Sequence, residues 1–259
     1  MASTLPLTQQ ETELKKIVAR SCRIVGRQGV TKGSFGHVSA RLPGTNRILI
    51  KAKGPDEEAL EFATERDVIA IDIDGNVLDA VQGLTAPNET AMHLAVLRRR
   101  PEVQSVIHSH PDWVVVLTAT NKPLVPMLGA YDGAATLRAV VREGIPVYPR
   151  TLTIINDELG ADFMNTMGEA NTCLLRGHGM TTAGSSVEDA THRALQIYEL
   201  ARLNYLAYTI GTPEPVPQRD QDEYLARRED GPYRRERGPS STGEGSFWKY
   251  QRKLLGEEL

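Results

Sequence analysis

The stretch Ser105-Val106-Ile107-His108-Ser109-His110-Pro111 predicts the end of a β-strand that runs into a turn. The run Val103 to Ile107 is mostly apolar and rich in β-branched residues, which suits a buried strand. Side chains alternate faces along a strand, so His108 and His110 project to one side and Ser109 to the other. Two adjacent imidazoles form half of a site for zinc, iron, manganese, cobalt or nickel. The alternative is a pair of surface histidines at a strand edge, which the spacing alone permits.

The bulk composition is that of an ordinary globular protein. The chain has 259 residues, 40% of them hydrophobic, which is enough for one large domain or two small ones. A net charge of −3 gives no electrostatic reason to expect a nucleic acid or an anionic membrane as partner. The two cysteines, Cys22 and Cys173, form no disulfide framework and no metal-binding spacing, which favours a reducing compartment. Without a signal-peptide pattern in residues 1–10 or a long apolar run, we expect a soluble cytoplasmic protein.

Two further stretches carry candidate functional residues at the boundaries of predicted elements. Asn88 is placed to cap a helix that runs to Arg99, and Glu89 then lies in its first turn. The alternative role for Glu89 is a charge that complements the helix N-terminus, worth about 0.3–1 kcal/mol. His178 stands between two glycines at the end of a predicted strand, where small neighbours allow close approach. Its alternative is a turn histidine without chemistry.

The remaining pattern alternates helices with short strands and ends in a polar tail. Helices are predicted over Glu11–Gln28 and Val187–Ile210 from apolar residues at steps of three and four. The stretch 212–246 is proline-rich and densely charged, which predicts a mobile or wrapping segment. The aromatic cluster Phe247-Trp248-Lys249-Tyr250 then docks either on a neighbouring subunit or on its own chain. Further strands are predicted over 37–42, 47–52, 67–72, 76–78, 145–148, 172–175 and 180–182, with an extended piece over 124–127.

Taken together, the motifs resemble the class II aldolase/adducin family. Four stretches carry the resemblance, which spans about residues 12–210: Gly36-His37-Val38-Ser39-Ala40-Arg41, Asn88-Glu89-Thr90, Ile107-His108-Ser109-His110 and Arg176-Gly177-His178-Gly179. The resemblance implies an α/β fold, a three-layer α/β/α sandwich around a mostly antiparallel sheet. It also implies a homotetramer with active sites at subunit interfaces. Residues 1–210 are then the catalytic domain, and residues 211–259 are an extended tail that could cover a neighbouring subunit.

The resemblance also assigns a metal centre. It implies that His108, His110 and His178 bind one divalent ion per subunit, with Glu89 as acid/base or as a fourth ligand. Three protein ligands with an open position are typical of a catalytic metal. Zinc is the expected ion, and manganese, iron and cobalt are alternatives because all accept imidazole.

Three positions depart from the phosphate-binding stretches of the family's sugar-phosphate aldolases. They carry His37, Lys53-Gly54 and Pro87-Asn88, so hydroxyls and backbone amides that would cradle a phosphate are largely replaced. An ammonium and an imidazole suit a carboxylate or a phenolic oxygen instead. The Gly-His-x-Ser-x-Arg stretch resembles that of family members that decarboxylate hydroxylated aromatic acids. The predicted substrate contacts are Lys53, Ser39, Arg41, Asn88 and Tyr131.

These departures predict a metal-dependent lyase, a carboxy-lyase in preference to an aldehyde-lyase. The expected reaction is non-oxidative decarboxylation of a hydroxylated aromatic carboxylate such as a dihydroxyphthalate, in aromatic compound degradation, with protonation at carbon by Glu89 or His37. Within the family, the alternatives are an aldolase acting on a sugar or sugar phosphate and a non-haem iron oxygenase acting on an aromatic acid. From another class, the alternative is a metal-free, adducin-like interaction protein.

Overall fold

A central sheet and flanking helices make up the computed structural model, which describes residues 6–129, 138–229 and 245–257. No helix within these ranges is long and apolar enough to cross a membrane. The strands are His37–Arg41 (β1), Arg47–Lys51 (β2), Val68–Asp72 (β3), Ser105–Ser109 (β4), Val147–Tyr148 (β5), Thr172–Leu175 (β6) and Gly179–Gly184 (β7). The α-helices are Leu7–Arg27 (α1), Thr90–Arg99 (α2), Asp112–Ala119 (α3), Asp157–Met167 (α4), Val187–Ile210 (α5), Gln218–Glu229 (α6) and Ser246–Leu254 (α7).

The strand that carries His108 and ends just before His110 is the middle strand of the sheet. The spatial order is β3-β2-β1-β4-β7-β6-β5, and every neighbouring pair is antiparallel except β5 and β6. All five residues of β4 are buried, as its apolar sequence predicted. The register places His108 opposite His37 on β1 and opposite Thr181 on β7. Three chain segments distant in sequence therefore meet at one end of β4.

The helices cover both faces of the sheet. One apolar core lies between the sheet and the helices α1, α3 and α5, and a second lies between the sheet and the helices α2 and α4. The predicted stripe on α5 is part of the first core, with Ala190, Ala194, Ile197 and Ala201 all buried. The three-layer α/β/α sandwich around a mostly antiparallel sheet is confirmed.

Several local predictions need correction. The predicted strand over 76–78 is reduced to a single bridge between Ile71 and Val77. The piece over 124–127, predicted as extended without a place in the sheet, joins no strand, and the Asn204 side chain bonds both the N–H and the C=O of Val125, at 2.8 and 2.9 Å. Helix α1 begins earlier than predicted, at Leu7 after Pro6. The charged stretch after residue 212 contains the helix α6, whose sequence lacks a continuous apolar stripe and gave no helical signal.

The C-terminal aromatic cluster packs against its own chain. Trp248 is 2% exposed within the core under α1, and the ring of Phe247 contacts that of His192 of α5 in a tilted arrangement, with centroids 4.4 Å apart. Glu257 then accepts hydrogen bonds from Arg20 and Arg23 of α1, each at 2.7 Å. This packing favours docking on the same chain over docking on a neighbour, and a tail that covers another subunit stays a prediction.

Trp248→Ala should lower the free energy of unfolding by about 3 kcal/mol, because a buried indole is lost from the core and a cavity remains. Urea denaturation measures this change. Tyr250→Ala is the matched control, since Tyr250 lies on the same helix but is 54% exposed, and it should cost far less. Equal losses for both variants would contradict the assignment of Trp248 as the anchor of α7.

Candidate metal centre

Three histidines and one glutamate converge at the end of β4. One donor atom from each of Glu89, His108, His110 and His178 lies within 4.8 Å of the other three. The Nε2 atoms of His108 and His110 are 2.8 Å apart, and Glu89 Oε2 lies 3.1 Å from His108 Nε2. Glu89 Oε1 lies 3.7 Å from His178 Nε2. The structure therefore brings together the predicted ligand set from three separate parts of the chain.

His108 is held with its Nε2 atom facing this cluster. The ring is fully buried, and its Nδ1 atom lies 3.1 Å from the carbonyl oxygen of Met180 on β7. A carbonyl oxygen only accepts, so in the neutral ring Nδ1 carries the proton and Nε2 carries the lone pair. A backbone carbonyl that fixes the tautomer in this way is a common partner of metal-binding histidines.

The turn that carries His178 needs its two glycines for different reasons. Gly177 has a φ of +62°, a backbone conformation that side chains rarely adopt. At position 179, a β-carbon would collide with the carbonyl oxygen of Ser109 on β4. The sequence Gly-His-Gly therefore lets the turn press against the end of β4 and bring His178 within ring contact of His108 and His110, at centroid distances of 5.1 and 4.7 Å.

Glu89 occupies the N-cap position of α2 but does not cap the helix. Its φ and ψ are −93° and 21°, and its side chain makes no capping hydrogen bond. The carboxylate is 5% exposed and accepts a hydrogen bond from the backbone N–H of Ile154 at 3.3 Å. The prediction that Asn88 caps the helix is therefore wrong, because Asn88 Oδ1 accepts from the Lys53 ammonium instead.

The charge state of the cluster suits a divalent cation. Burial raises the pKa of the Glu89 carboxyl, but His108 and then His178 oppose it, and the net pKa lies well below its ordinary value. Burial and the neighbouring His108 lower the pKa of His110 to about 3, and the same two causes lower that of His178. Neutral imidazoles and a carboxylate are the ligand forms. In the neutral ring, the lone pair of His108 Nε2 faces Glu89 Oε2. Both atoms are acceptors, so neither can donate to the other, and a cation between them would bind both. The residues present therefore fit a divalent metal.

A second layer of histidines backs this cluster. The ring of His37 stacks on that of His108 at 5.8 Å, and the ring edge of His93 meets His37 at 5.6 Å. Ser39, fully buried, lies with its Oγ 2.8 Å from His93 Nδ1, so it orients His93 and has no free surface for a ligand. Within the described residues, His37 Nδ1 and His93 Nε2 have no hydrogen-bond partner. Burial, His93 and His108 hold the pKa of His37 well below its ordinary value, so this ring is neutral.

Sequence reasoning missed His93, although a signal was available. His93 lies four residues after Glu89, and residues four apart share one face of a helix. A functional glutamate at the start of α2 thus predicts that position 93 faces the same site. Phe35 was also missed: its ring stacks on His110 with centroids 5.8 Å apart.

The remaining predicted substrate contacts, Lys53, Arg41 and Tyr131, do not all lie near the cluster. The Lys53 ammonium donates to the side chain of Asn88, the residue that precedes Glu89 in the sequence. The backbone of Lys53 pairs with that of Thr85. Arg41 is not brought to the cluster: it ends β1 at the far side from His37 and donates to the Leu97 carbonyl at 2.7 Å. Tyr131 lies outside the described residues.

Comparison with known proteins gives a consistent picture. The model of the Class II Aldolase and Adducin N-terminal domain matches residues 16–205. The chain is 35% identical over 213 residues to a 3,4-dihydroxyphthalate decarboxylase of Arthrobacter keyseri, covering 81% of this chain and 85% of that protein. It is 27% identical over 214 residues to a 5-methylthioribulose-1-phosphate/5-deoxyribulose-1-phosphate aldolase of Rhodospirillum rubrum, covering 80% and 87%. A solved aldolase II superfamily protein from Pseudomonas syringae superposes with a TM-score of 0.78 at 20% identity, covering 95% and 93%, which shows the fold.

Proposed function

Because this chain belongs to the class II aldolase and adducin family, we propose that it is a metal-dependent decarboxylase of a hydroxylated aromatic carboxylate such as a dihydroxyphthalate. The observation that carries the proposal is the cluster of Glu89, His108, His110 and His178, with a lysine close by. Relatives named as dihydroxyphthalate decarboxylases, 30–36% identical, support the choice of substrate class. Aromatic compound degradation is then the physiological setting.

His108, His110 and His178 would hold the metal beside Glu89. When bound, a divalent ion acts as a Lewis acid that stabilises negative charge developing on the substrate oxygen. The carbonyl of Met180 holds His108 in the tautomer that has its lone pair on Nε2. The glycines around His178 allow that residue to lie against the end of β4, where it provides the third imidazole. Zinc is the ion we expect, and manganese, iron and cobalt also suit this set of donors.

Glu89 moves the proton in this scheme. Glu89 is a carboxylate, the form that accepts a proton, and in this scheme it takes the proton of the substrate hydroxyl beside the carboxylate group. The bond from ring carbon to carboxylate then breaks, CO₂ leaves, and Glu89 returns the proton to that carbon. The product oxygen takes up a proton from water as it departs. The ring of His37 stacks on that of His108, and its Nδ1 has no hydrogen-bond partner among the described residues, so His37 is the other candidate for this proton transfer.

Lys53 supplies the charge that holds the substrate carboxylate. Its ammonium contacts only the neutral Asn88 amide among the described hydrogen bonds and ion pairs, so a substrate anion can take that place. A lysine ammonium suits a carboxylate as a point contact. The choice of a carboxylate over the phosphate of the aldolase substrates rests on Lys53-Gly54 and Pro87-Asn88, which replace the hydroxyl-bearing residues of the phosphate-binding stretches.

Lys53→Gln should raise the KM for an aromatic carboxylate about 10-fold with little change in kcat, since one charged hydrogen bond worth about 1.5 kcal/mol is lost on binding. Steady-state kinetics with the metal-loaded protein provide the measurement. Lys16→Gln is the control, because Lys16 is exposed on α1 and pairs with Glu13. An unchanged KM in Lys53→Gln would remove Lys53 from the binding site.

A second candidate function is an aldolase that cleaves a sugar phosphate. The relatives named as pentulose-phosphate and fuculose-phosphate aldolases, at 26–27% identity, favour it. A panel of catechol carboxylates and sugar phosphates separates the two candidates. We expect chelator-sensitive CO₂ release from the first group. Chelator-sensitive aldehyde release from the second group alone would assign the protein to the aldolases.

We also propose a homotetramer with active sites between subunits, as the family resemblance implies. Phe35 and Lys32 beside the cluster are strongly exposed in the single chain, which leaves room for a neighbouring subunit around the site. Light scattering on the purified protein gives the mass directly. A monomer with full activity would contradict an interfacial site.

A further inference from the structure

Phe35 is a large apolar side chain that is exposed to solvent beside His110, a proposed metal ligand. Its ring is 66% exposed, and it stacks on His110 at an interplanar angle of 28°. The loop around it is ordered by hydrogen bonds: Thr31 Oγ1 donates to the Phe35 carbonyl at 2.6 Å, and the Phe35 N–H donates to the Lys32 carbonyl at 3.3 Å. The exposed face of the ring is thus presented by the fold next to the reaction centre.

The ring borders a cavity that also reaches His110, one of the four residues of the cluster. This cavity has a volume of about 250 Å³ and is lined by Lys32, Phe35, His110 and Asp112. It is slightly smaller than the usual range for drug-sized ligands, which suits a single small ring. Lys32 and Asp112 form an ion pair across it, so their charges cancel locally and the aromatic face is the distinctive surface that remains.

We infer that Phe35 is a specificity-determining residue, an aromatic wall on which the substrate ring stacks while its oxygens face the cluster of Glu89, His108, His110 and His178. This inference rests on the proposed function and deepens it. Offset-stacked aromatic rings attract each other beyond the area that they bury. A sugar phosphate or a saturated ring presents no π-face and gains less. Phe35 would therefore select planar aromatic acids for the same metal chemistry.

A pair of unreactive probes isolates this effect from catalysis. Phthalate and its ring-saturated counterpart hexahydrophthalate carry the same two carboxylates but differ in the aromatic ring. Calorimetric titration of the metal-loaded protein should show tighter binding of phthalate. Phe35→Leu keeps apolar bulk but removes the π-face, and it should reduce the phthalate preference about 3- to 10-fold. Phe35→Tyr should retain the preference, and the metal content of both variants should equal that of the unaltered protein.

Three results would overturn the inference. These are binding of neither probe by the unaltered protein, equal binding of both probes, and loss of affinity for both probes by the same factor in Phe35→Leu. A changed oligomer mass in Phe35→Leu with an unchanged probe ratio would instead assign the ring to a subunit contact. The proposed function fails separately: it is wrong if no catechol carboxylate releases CO₂, even when the phthalate preference and its loss in Phe35→Leu are both observed.

Discussion

His178→Ala should remove the bound divalent ion and lower the decarboxylation rate about 10³-fold or more. The turn Gly177-His178-Gly179 supplies the third nitrogen, while His108 lies on β4 and His110 directly follows that strand. Two imidazoles from one strand end, even with Glu89, give a much weaker site than three. A metal that stabilises developing charge contributes several kcal/mol to catalysis, and each 1.4 kcal/mol is about tenfold in rate. Metal content by mass spectrometry and CO₂ release on the same sample measure both effects.

His192→Gln is the matched control for that substitution. His192 lies on α5 and contacts Gln196 and Phe247, outside the cluster. This variant should keep a full complement of metal and its activity. The fold of His178→Ala should be preserved, with an unchanged far-UV spectrum, because His178 lies in a turn rather than in a core. Full metal content and activity in His178→Ala would contradict its role as a ligand.

Glu89→Gln should lower kcat about 10²- to 10⁴-fold while KM changes little, the range expected for loss of a general acid–base group. The substitution keeps the size of the side chain, and the amide oxygen can still accept from the Ile154 N–H. It removes the carboxylate that lies 3.1 Å from His108 Nε2 and is held in its charged form. The three histidines should still bind the metal, with lower affinity.

Glu188→Gln tests the alternative role of Glu89 as a mere helix charge. Glu188 also lies at the start of a helix, in the first turn of α5, but away from the cluster. Loss of a first-turn charge costs about 0.3–1 kcal/mol of stability and should leave kcat unchanged. Similar small effects in both variants, with kcat intact, would show that Glu89 has no part in the chemistry.

Local periodicity was sufficient to predict much of the fold. Alternation along β4 and into the residue after it placed His108 and His110 on one side, and the apolar spacing of α5 gave the bounds of that helix. The side-chain bond between Asn204 and the backbone of Val125 joins positions far apart in sequence, so no local pattern could reveal it.

The residues of the candidate site were predicted from sequence motifs and not from periodicity. The pairing of His37 with His108 depends on the register between β1 and β4, which the sequence does not display. Arg41 shares a motif with His37 but lies at the other end of a five-residue strand, a separation that the motif alone does not show. Phe35 sits in a glycine-bounded loop, where neither helical nor strand spacing predicts the direction of a side chain. Long-range register and loop geometry therefore account for what was missed.

The most direct test of the account is CO₂ release from dihydroxyphthalate by the purified protein after removal and stepwise return of a divalent metal. We predict no release from the metal-free protein and full recovery at one equivalent of metal per subunit. In the same experiment, His178→Ala should stay inactive when one equivalent of metal per subunit is added. Equal CO₂ release with and without the metal would contradict the central claim that these three histidines and Glu89 form a catalytic metal centre.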